Sequence, residues 1–305
     1  MSLLAGIVLA GIGGELFLRG VLSGARWLRI PSAVAAATLG AFATSSPEVF
    51  VSTIAALKGN PEIGLGDATG SNVVNIALIL ALALLIKPMQ SARSAIKLDF
   101  LTALGATAAV GVLSIDGIVS RLDGLLLISA FLAWMTLHIR AALAHRATAA
   151  APEDIGKLRS ILESAAGLLL LILAGMLVVS GATTVATAFG VPAFLIGVTL
   201  VAIGTSMPEL ATTLIALWRG HDDVGVATLL GSNVFNALFI IGLTALIAPI
   251  TVTGAGLWIA LGAATLAVLL TWPGPSGKLG RARGVVLILI YATSMSMLAV
   301  FAGAH

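Results

Sequence analysis

The sequence has no cysteine, a single tyrosine and few charged residues for its length. Only 10% of its 305 residues are Asp, Glu, Lys or Arg, whereas about 25% is typical of soluble globular proteins. The absence of cysteine excludes a disulfide framework and a thiolate metal site. Hydrophobic residues make up 59% of the chain, and the mean hydropathy is +1.12. These values predict an all-α polytopic membrane protein that is surrounded by the lipid bilayer.

The formal net charge of +3 does not indicate a nucleic-acid partner. The basic residues occupy short breaks between apolar runs rather than one face of a domain. The longest polar interval covers residues 145–160, so no soluble domain fits anywhere in the chain. No nucleophile is paired with a general base. We therefore expect neither an enzyme nor a bound cofactor, and the sequence leaves the oligomeric state open.

Ten apolar segments are long enough to cross a membrane, for which a helix needs about 20 mainly apolar residues. Residues 1–15 carry no basic leader, so we expect them to belong to the first span rather than to a signal peptide. The predicted spans are 3–22, 33–57, 62–86, 98–118, 122–144, 161–188, 192–217, 224–248, 252–272 and 284–303.

An internal repeat relates the two halves of the chain. The stretch TSSPE at 44–48 returns as TSMPE at 205–209, and GSNVVN at 70–75 returns as GSNVFN at 231–236. Both pairs are separated by the same 161 positions. One offset without gaps over two such motifs indicates a duplicated unit, whose repeats we place at about 40–80 and 201–241.

The repeat predicts a topology because each copy contains five spans. An odd number of spans makes the two copies face opposite ways, as in the inverted repeats of secondary transporters. With the first residue outside, only Lys58 and Arg121 of the 16 Lys and Arg residues lie in outer loops, which satisfies the positive-inside rule. The fold is thus predicted as ten transmembrane helices in two inverted five-helix repeats, 1–145 and 161–305, joined by a cytoplasmic linker at 146–160. Both termini would lie outside the inner cell membrane.

Two acidic residues lie well inside predicted spans, at equivalent places in the two repeats. Glu48 follows Pro47, and Glu209 follows Pro208. Ionisable residues at membrane depth are costly and usually functional. Proline lacks the N–H of the helix ladder and clashes with an earlier carbonyl, so the helix should be kinked or unwound here and free carbonyl oxygens should face a ligand or cavity.

Hydroxyl and amide side chains surround the two glutamates in the sequence. Carboxylate, hydroxyl, amide and carbonyl oxygens suit hard cations such as Ca²⁺ and, by the same logic, Na⁺, whereas thiolate and imidazole would suit zinc or copper. The carboxylates could also take up protons. The candidate residues are Thr44, Ser45, Ser71, Asn75, Thr205, Ser206, Ser232 and Asn236.

Simpler interpretations compete for several of these residues. A serine or threonine in a membrane helix usually bonds to a carbonyl of its own helix, and an asparagine can serve interhelical hydrogen bonding. Asp67, one turn before Ser71, either lines an outer vestibule that attracts cations or has no role. Glu15 lies four residues before Arg19, which favours an ordinary helix ion pair.

The motifs resemble those of a known group of transporters. GTSMPEL at 204–210 and GSNVFN at 231–236, with their first-half copies ATSSPEV at 43–49 and GSNVVN at 70–75, are similar to the two α-repeats of the cation/calcium exchanger superfamily. The closest likeness is to prokaryotic sodium/calcium exchangers. The resemblance implies that the two glutamates and the eight candidate hydroxyl and amide residues bind transported ions. It adds the backbone carbonyls of Ala41 and Ala202 as ligands.

The resemblance also implies a mechanism. In that family the first and sixth helices form a long tilted pair that slides against the core to alternate access. Well-studied sodium/calcium members carry an aspartate at the position of Asn236, so one central acid is missing here. We expect an antiporter that exchanges Ca²⁺ for Na⁺. The alternatives are H⁺-coupled Ca²⁺ exchange and, from a different class, a cation channel.

Overall fold

The structure is a computed structural model that describes residues 2–148, 156–188, 202–252 and 255–302. It is mostly helical. The helices are α1 (Ser2–Leu28), α2 (Ser32–Thr44), α3 (Ser46–Leu57), α4 (Pro61–Ile86), α5 (Arg93–Leu113), α6 (Arg121–Thr148), α7 (Lys157–Ala188), α8 (Ala202–Thr205), α9 (Met207–Trp218), α10 (Asp222–Ile247), α11 (Gly256–Leu270) and α12 (Arg281–Ala302).

The described residues contain six helices long and apolar enough to cross a membrane, or seven if α2 and α3 count as one bent span. This confirms a helical protein of the membrane type. Ten spans stay a prediction. The first ten residues of the predicted span 192–217, residues 149–155 of the linker at 146–160, residues 253–254 of the span 252–272 and residue 303 of the span 284–303 lie outside the described residues.

Helices α2 and α3 meet at a sharp break. Their axes differ by 44°, and Ser45 between them has φ −84° and ψ 11°, outside the helical region. Ser206 separates α8 from α9 with φ −84° and ψ 12°. In both cases a proline lies in the first turn of the following helix, where its missing N–H is harmless. The break predicted from the two prolines is therefore present, two residues before each of them.

Wide π-helical turns interrupt three of the helices. They cover Ala36–Gly40 in α2, Val74–Leu80 in α4 and Phe235–Ile240 in α10. The last two are equivalent in the repeat and contain Asn75 and Asn236. Single π turns inside α-helices often mark functional sites, so the backbone is irregular at both motifs of each repeat.

Four two-residue strands form two antiparallel pairs, and each pair joins one half of the chain to the other. Strand β1 (Met89–Gln90) pairs with β4 (Lys278–Leu279), and β2 (Ile118–Val119) pairs with β3 (Ile250–Thr251). Because β1 precedes α5 and β2 follows it, the two pairs lie at opposite ends of that helix.

Glycines allow the closest helix contacts. A Cβ added at Gly231 would lie 2.1 Å from the carbonyl oxygen of Ala37, and one at Gly167 would lie 2.4 Å from the amide nitrogen of Phe17. The first contact packs α10 against the π turn of α2; the second packs α7 along α1. Small residues let membrane helices approach in this way.

The main apolar core lies between α4, α5, α6, α10 and α11, where Leu80, Ile96, Leu127 and Ile241 are fully buried. Helices α1 and α7 pack along each other outside this core. Large apolar side chains remain exposed on the outside of several helices, among them Leu122, Leu126 and Leu289. An apolar exterior of this extent suits contact with lipid.

Candidate cation-binding site

The two helix breaks bring the repeated motifs together in the interior. Glu48 and Glu209 lie in the first turns of α3 and α9, where the partial positive charge of a helix N-terminus favours carboxylates. Nine predicted side chains have no exposed surface, namely Thr44, Ser45, Glu48, Ser71, Asn75, Ser206, Glu209, Ser232 and Asn236.

Each glutamate accepts a hydrogen bond from the opposite half of the chain. The Ser45 hydroxyl donates to Oε1 of Glu209 at 3.0 Å, and the Ser206 hydroxyl donates to Oε1 of Glu48 at 3.4 Å. The two bonds are equivalent in the repeat, because each joins the serine of one half to the glutamate of the other half. Ser232 adds a third bond, to Oε1 of Glu209 at 3.1 Å. Three of the four predicted serines thus bond to the two glutamates.

Several buried oxygens of the predicted ligands have no hydrogen-bond partner within the described part of the chain. Uncompensated burial of a polar group costs free energy, and a carboxylate can only accept hydrogen bonds or bind cations. A set of buried oxygens of this kind is what a cation needs in place of water. The atoms are Oε2 of Glu48, Oε2 of Glu209, Oγ of Ser71, and Oδ1 of Asn75 and Asn236.

The remaining predicted ligands are placed less directly. The carbonyl of Ala41 accepts the amide of Ser45 at 2.9 Å and the hydroxyl of Thr44 at 3.3 Å, so it is engaged in this structure. Thr205 is half-buried and lies close to Asp67. Ala202 begins α8, and its side chain lies outside the described residues.

Sequence reasoning overlooked Asn72 and Asn233, the middle residues of the two GSN motifs. Nδ2 of Asn72 donates to the carbonyl of Asn233 at 3.2 Å, and Nδ2 of Asn233 donates to the carbonyl of Asn72 at 3.0 Å. Oδ1 of Asn233 also accepts Nδ2 of Asn75 at 3.1 Å. Because Asn75 uses its Nδ2 in this bond, its Oδ1 remains without a hydrogen-bond partner among the described residues. The sequence feature that indicates a role for both asparagines is their position inside a repeated motif.

A second buried polar group lies away from these residues. Oδ1 of Asp99 accepts Nε1 of Trp134 at 3.0 Å and lies 2.7 Å from Nε2 of His138. Asp99 is 1% and His138 4% exposed. Asp99, at the start of the predicted span 98–118, is thus a further buried acid beside Glu48 and Glu209. No three Asp, Glu, His or Cys side chains gather around a common point in the described ranges.

Buried carboxylates at two broken, repeated helices are typical of membrane proteins that move ions. The sequence profile of the family described as "Sodium/calcium exchanger protein" matches residues 1–140 and 160–300. The chain belongs to this family, and it is a membrane antiporter for ions rather than an enzyme.

Similar proteins match most or nearly all of the chain. The inner membrane protein YrbG of Escherichia coli is 33% identical over 73% of this chain and 72% of its own. The sodium/calcium exchanger MaX1 of Methanosarcina acetivorans is 26% identical over 98% and 97%. The solved structure of the sodium-calcium exchanger NCX_Mj, from a crystal soaked with Na⁺ and Sr²⁺, has a TM-score of 0.83 at 26% identity and covers 97% of this chain and 96% of that one.

Proposed function

We propose that the protein exports Ca²⁺ in exchange for Na⁺ by alternating access. The observation that carries this proposal is the crossed pair of hydrogen bonds, from Ser45 to Glu209 and from Ser206 to Glu48, with the second oxygen of each carboxylate left for an ion. Two carboxylates balance the charge of one Ca²⁺, and Ca²⁺ takes six to eight oxygen ligands.

The remaining ligands complete the proposed ion shell. The hydroxyls of Ser71 and Ser232 and the amide oxygens of Asn75 and Asn236 supply neutral oxygen, and the hydroxyls of Thr44 and Thr205 lie at the two breaks. The carbonyls of Ala41 and Ala202 join the shell if the breaks open further. Since a neutral amide stands at Asn236, the central charge is that of the glutamate pair alone.

The proposed topology has ten spans in two inverted repeats, 1–145 and 161–305, with both termini outside and the linker at 146–160 in the cytoplasm of an inner-membrane protein. The strand pairs support it. Exchange of the two halves carries the β1–β4 pair onto the β3–β2 pair, which lies at the other end of α5. Superposing one half of the chain on the other therefore moves the strand pair from one end of a spanning helix to the opposite end. This means that one repeat is inverted in the membrane relative to the other.

The proposed coupling ion is Na⁺. Sodium is favoured by the hydroxyl and carbonyl oxygens at the breaks, and the names of MaX1 and NCX_Mj describe sodium/calcium exchange in those proteins. Protons are the alternative, because two adjoining buried carboxylates can be neutralised by protonation.

Purified protein in proteoliposomes tests the proposal. An outward Na⁺ gradient, a K⁺ gradient and a pH gradient are imposed in turn while uptake of radioactive Ca²⁺ is followed. We expect uptake with the Na⁺ gradient only, and its loss in the double variant Glu48→Gln, Glu209→Gln. Glu62→Gln, which alters an exposed acid at the start of α4, is the matched control. Uptake that survives the double variant contradicts the proposal, and flux that is unsaturable and independent of any ion on the opposite side identifies a channel.

A further inference from the structure

Asp67 lies beside the glutamate cluster, one helical turn along α4 from Ser71. Its Oδ2 accepts the hydroxyl of Ser52 at 3.5 Å, and Thr205 lies close to the same side chain. Ser52 in turn follows Glu48 by one turn of α3. Residues four apart share a helix face. Asp67 and Ser52 therefore form a second level of oxygens, one helical turn from the level of Ser71 and Glu48 along the helix axes.

Close packing of α3 on α4 holds this second level together. A Cβ added at Gly64 would lie 3.0 Å from Cβ of Ser52 and 3.1 Å from Thr244 of α10. The hydroxyl of Ser52 also reaches the carbonyl of Gly64 at 3.4 Å. Helix α8, which ends at Thr205, packs against α4 as well. Helices α3 and α8 therefore both approach Asp67 of α4.

The second level adjoins an unsatisfied carboxylate. Glu48 has no exposed surface, and its Oε2 has no hydrogen-bond partner among the described residues. Among the described acids, Glu209 and Asp67 interact with the charge of Glu48. The carboxylates of Glu48 and Asp67 thus neighbour each other, with Ser52 and Thr205 close to Asp67, and carboxylate and hydroxyl oxygens are ligands that suit a hard divalent cation.

The repeat does not require this acid. The positions equivalent to Asp67 and Ser52 in the second half are Thr228 and Thr213. The Thr228 hydroxyl donates to the carbonyl of Val224 in its own helix at 2.9 Å. The second half of the chain therefore forms the equivalent helix with the neutral Thr228. Only the first half, with Asp67, places an additional charge at its end of the proposed ion path.

We propose that Glu48, Asp67, Ser52 and Thr205 form an additional binding position for a divalent cation, displaced from the glutamate pair toward the turn between α3 and α4. A divalent cation reaching the protein from that face is held there before it enters the central site. The apparent affinity for external divalent cations then differs between the two faces of the membrane, with the tighter binding at the face of the α3–α4 turn. This inference rests on the proposed function.

The test combines binding and transport of Ca²⁺. Asp67→Asn keeps an acceptor for Ser52 but removes the charge, Asp67→Thr installs the residue of the second repeat, and Glu62→Gln removes a charge from the exposed first turn of the same helix. Equilibrium binding of radioactive Ca²⁺ to the purified full-length protein is measured first. The KM for Ca²⁺ is then measured at each face in proteoliposomes whose orientation is known.

We expect both Asp67 variants to weaken Ca²⁺ binding and raise the KM at the α3–α4 face by about three- to tenfold, the scale of one carboxylate a few ångströms from the ion, while the KM at the other face is unchanged. Thr228→Asp should lower the KM at that other face. The proposal is overturned if Asp67→Asn and Glu62→Gln behave alike, or if the wild-type protein has equal KM values at the two faces.

Failure of the proposed function gives a different result. If the double variant Glu48→Gln, Glu209→Gln still binds and exchanges Ca²⁺, the central site is wrong whatever Asp67 does. If that double variant is inactive and the Asp67 variants match wild type, only the additional position is wrong. An Asp67 variant that elutes as aggregate in size-exclusion chromatography is replaced by Ser52→Ala, which removes a neighbouring hydroxyl and is expected to raise the KM at the same face.

Discussion

The side-chain amides of Asn72 and Asn233 each donate to the backbone carbonyl of the other residue, at 3.2 and 3.0 Å. The two residues are 96–98% buried and occupy equivalent positions in the two repeats. Their paired bonds therefore tie α4 to α10 beside the π turns that contain Asn75 and Asn236. Oδ1 of Asn233 accepts Nδ2 of Asn75 in addition, so the same contact orients a proposed ligand.

Replacement of either asparagine by alanine should destabilise the protein. Asn72→Ala and Asn233→Ala each remove one donor and leave the opposite carbonyl short of a buried bond, a loss of about 1–3 kcal/mol. The double variant should cost less than the sum, because the two bonds belong to one contact. Asn60→Ala, at an exposed turn, is the control, and thermal unfolding in detergent is the measurement.

The two alanine variants should also differ in their KM for Ca²⁺. Asn233→Ala also removes the acceptor of Asn75, so it should raise the KM for Ca²⁺ more than Asn72→Ala does at similar stability. Equal KM values for the two variants would argue against an orienting role for Asn233. Purely additive unfolding free energies would show that the two bonds are independent.

The helical membrane-type fold and its two helix breaks could be predicted from the sequence, because they follow from local rules. The two prolines predicted breaks that the structure has at Ser45 and Ser206, and the identical offset of the motifs predicted which residues are equivalent. Contacts across the core could not be derived in the same way. The reciprocal bond of Asn72 depends on the separation of α4 and α10, and the burial of His138, which lies near the end of a predicted span, depends on how α6 packs on α5.

Glu15 was interpreted as a partner of Arg19, and the structure adds a second partner. Its carboxylate accepts Nε of Arg19 at 2.6 Å and Nε of Arg219 at 3.1 Å. Arg219 directly follows α9, so the second bond ties α1 to the helix that carries Glu209. If α1 slides against the core during transport, as the family resemblance implies, this bond is present in one conformation and broken in another.

Glu15→Gln should therefore speed the step that leaves the present conformation. A partly exposed ion pair contributes about 0.2–1 kcal/mol, so we expect the maximal exchange rate to change by about 1.5- to 5-fold, with little effect on the KM for Ca²⁺. Glu163→Gln is the matched control, since Glu163 pairs only with Arg159 within α7 among the contacts described. A rate that is the same in both variants would exclude a role of the α1–α9 bond in the transition.

The Asp99–His138 pair should matter for stability rather than for ion binding. Asp99 is buried and accepts from both Trp134 and His138. His138→Ala leaves this carboxylate with a single partner, and breaking a buried pair typically costs about 3–5 kcal/mol. Asp99→Asn should cost less, because the amide oxygen still accepts the bond from Trp134 and no charge is left buried.

Thermal unfolding and Ca²⁺ binding together check this expectation. His145→Ala, an exposed histidine near the end of α6, is the control and should leave the unfolding temperature nearly unchanged. A His138→Ala variant with wild-type unfolding temperature but weakened Ca²⁺ binding would reassign the pair to the ion path.

The proposed topology can be tested directly because the chain has no cysteine of its own. A single cysteine introduced at Asn60, Asp116 or Ser276 is then the only reactive thiol, and all three positions are exposed. Asn60 precedes α4, Asp116 lies between α5 and β2, and Ser276 lies between α11 and β4. In the proposed arrangement the first two face the outside and the third faces the cytoplasm.

We expect a membrane-impermeant maleimide to label Asn60→Cys and Asp116→Cys in intact cells with an accessible inner membrane, and Ser276→Cys only after permeabilisation. Asp116 and Ser276 occupy nearly equivalent positions in the two repeats, since each lies just before the second strand of its half. Opposite labelling of this pair is therefore the specific consequence of inverted repeats, because two copies with the same orientation would place both turns on one face. Labelling of Asp116→Cys and Ser276→Cys from the same side would overturn the inverted arrangement, even if the helices of the fold are otherwise as described.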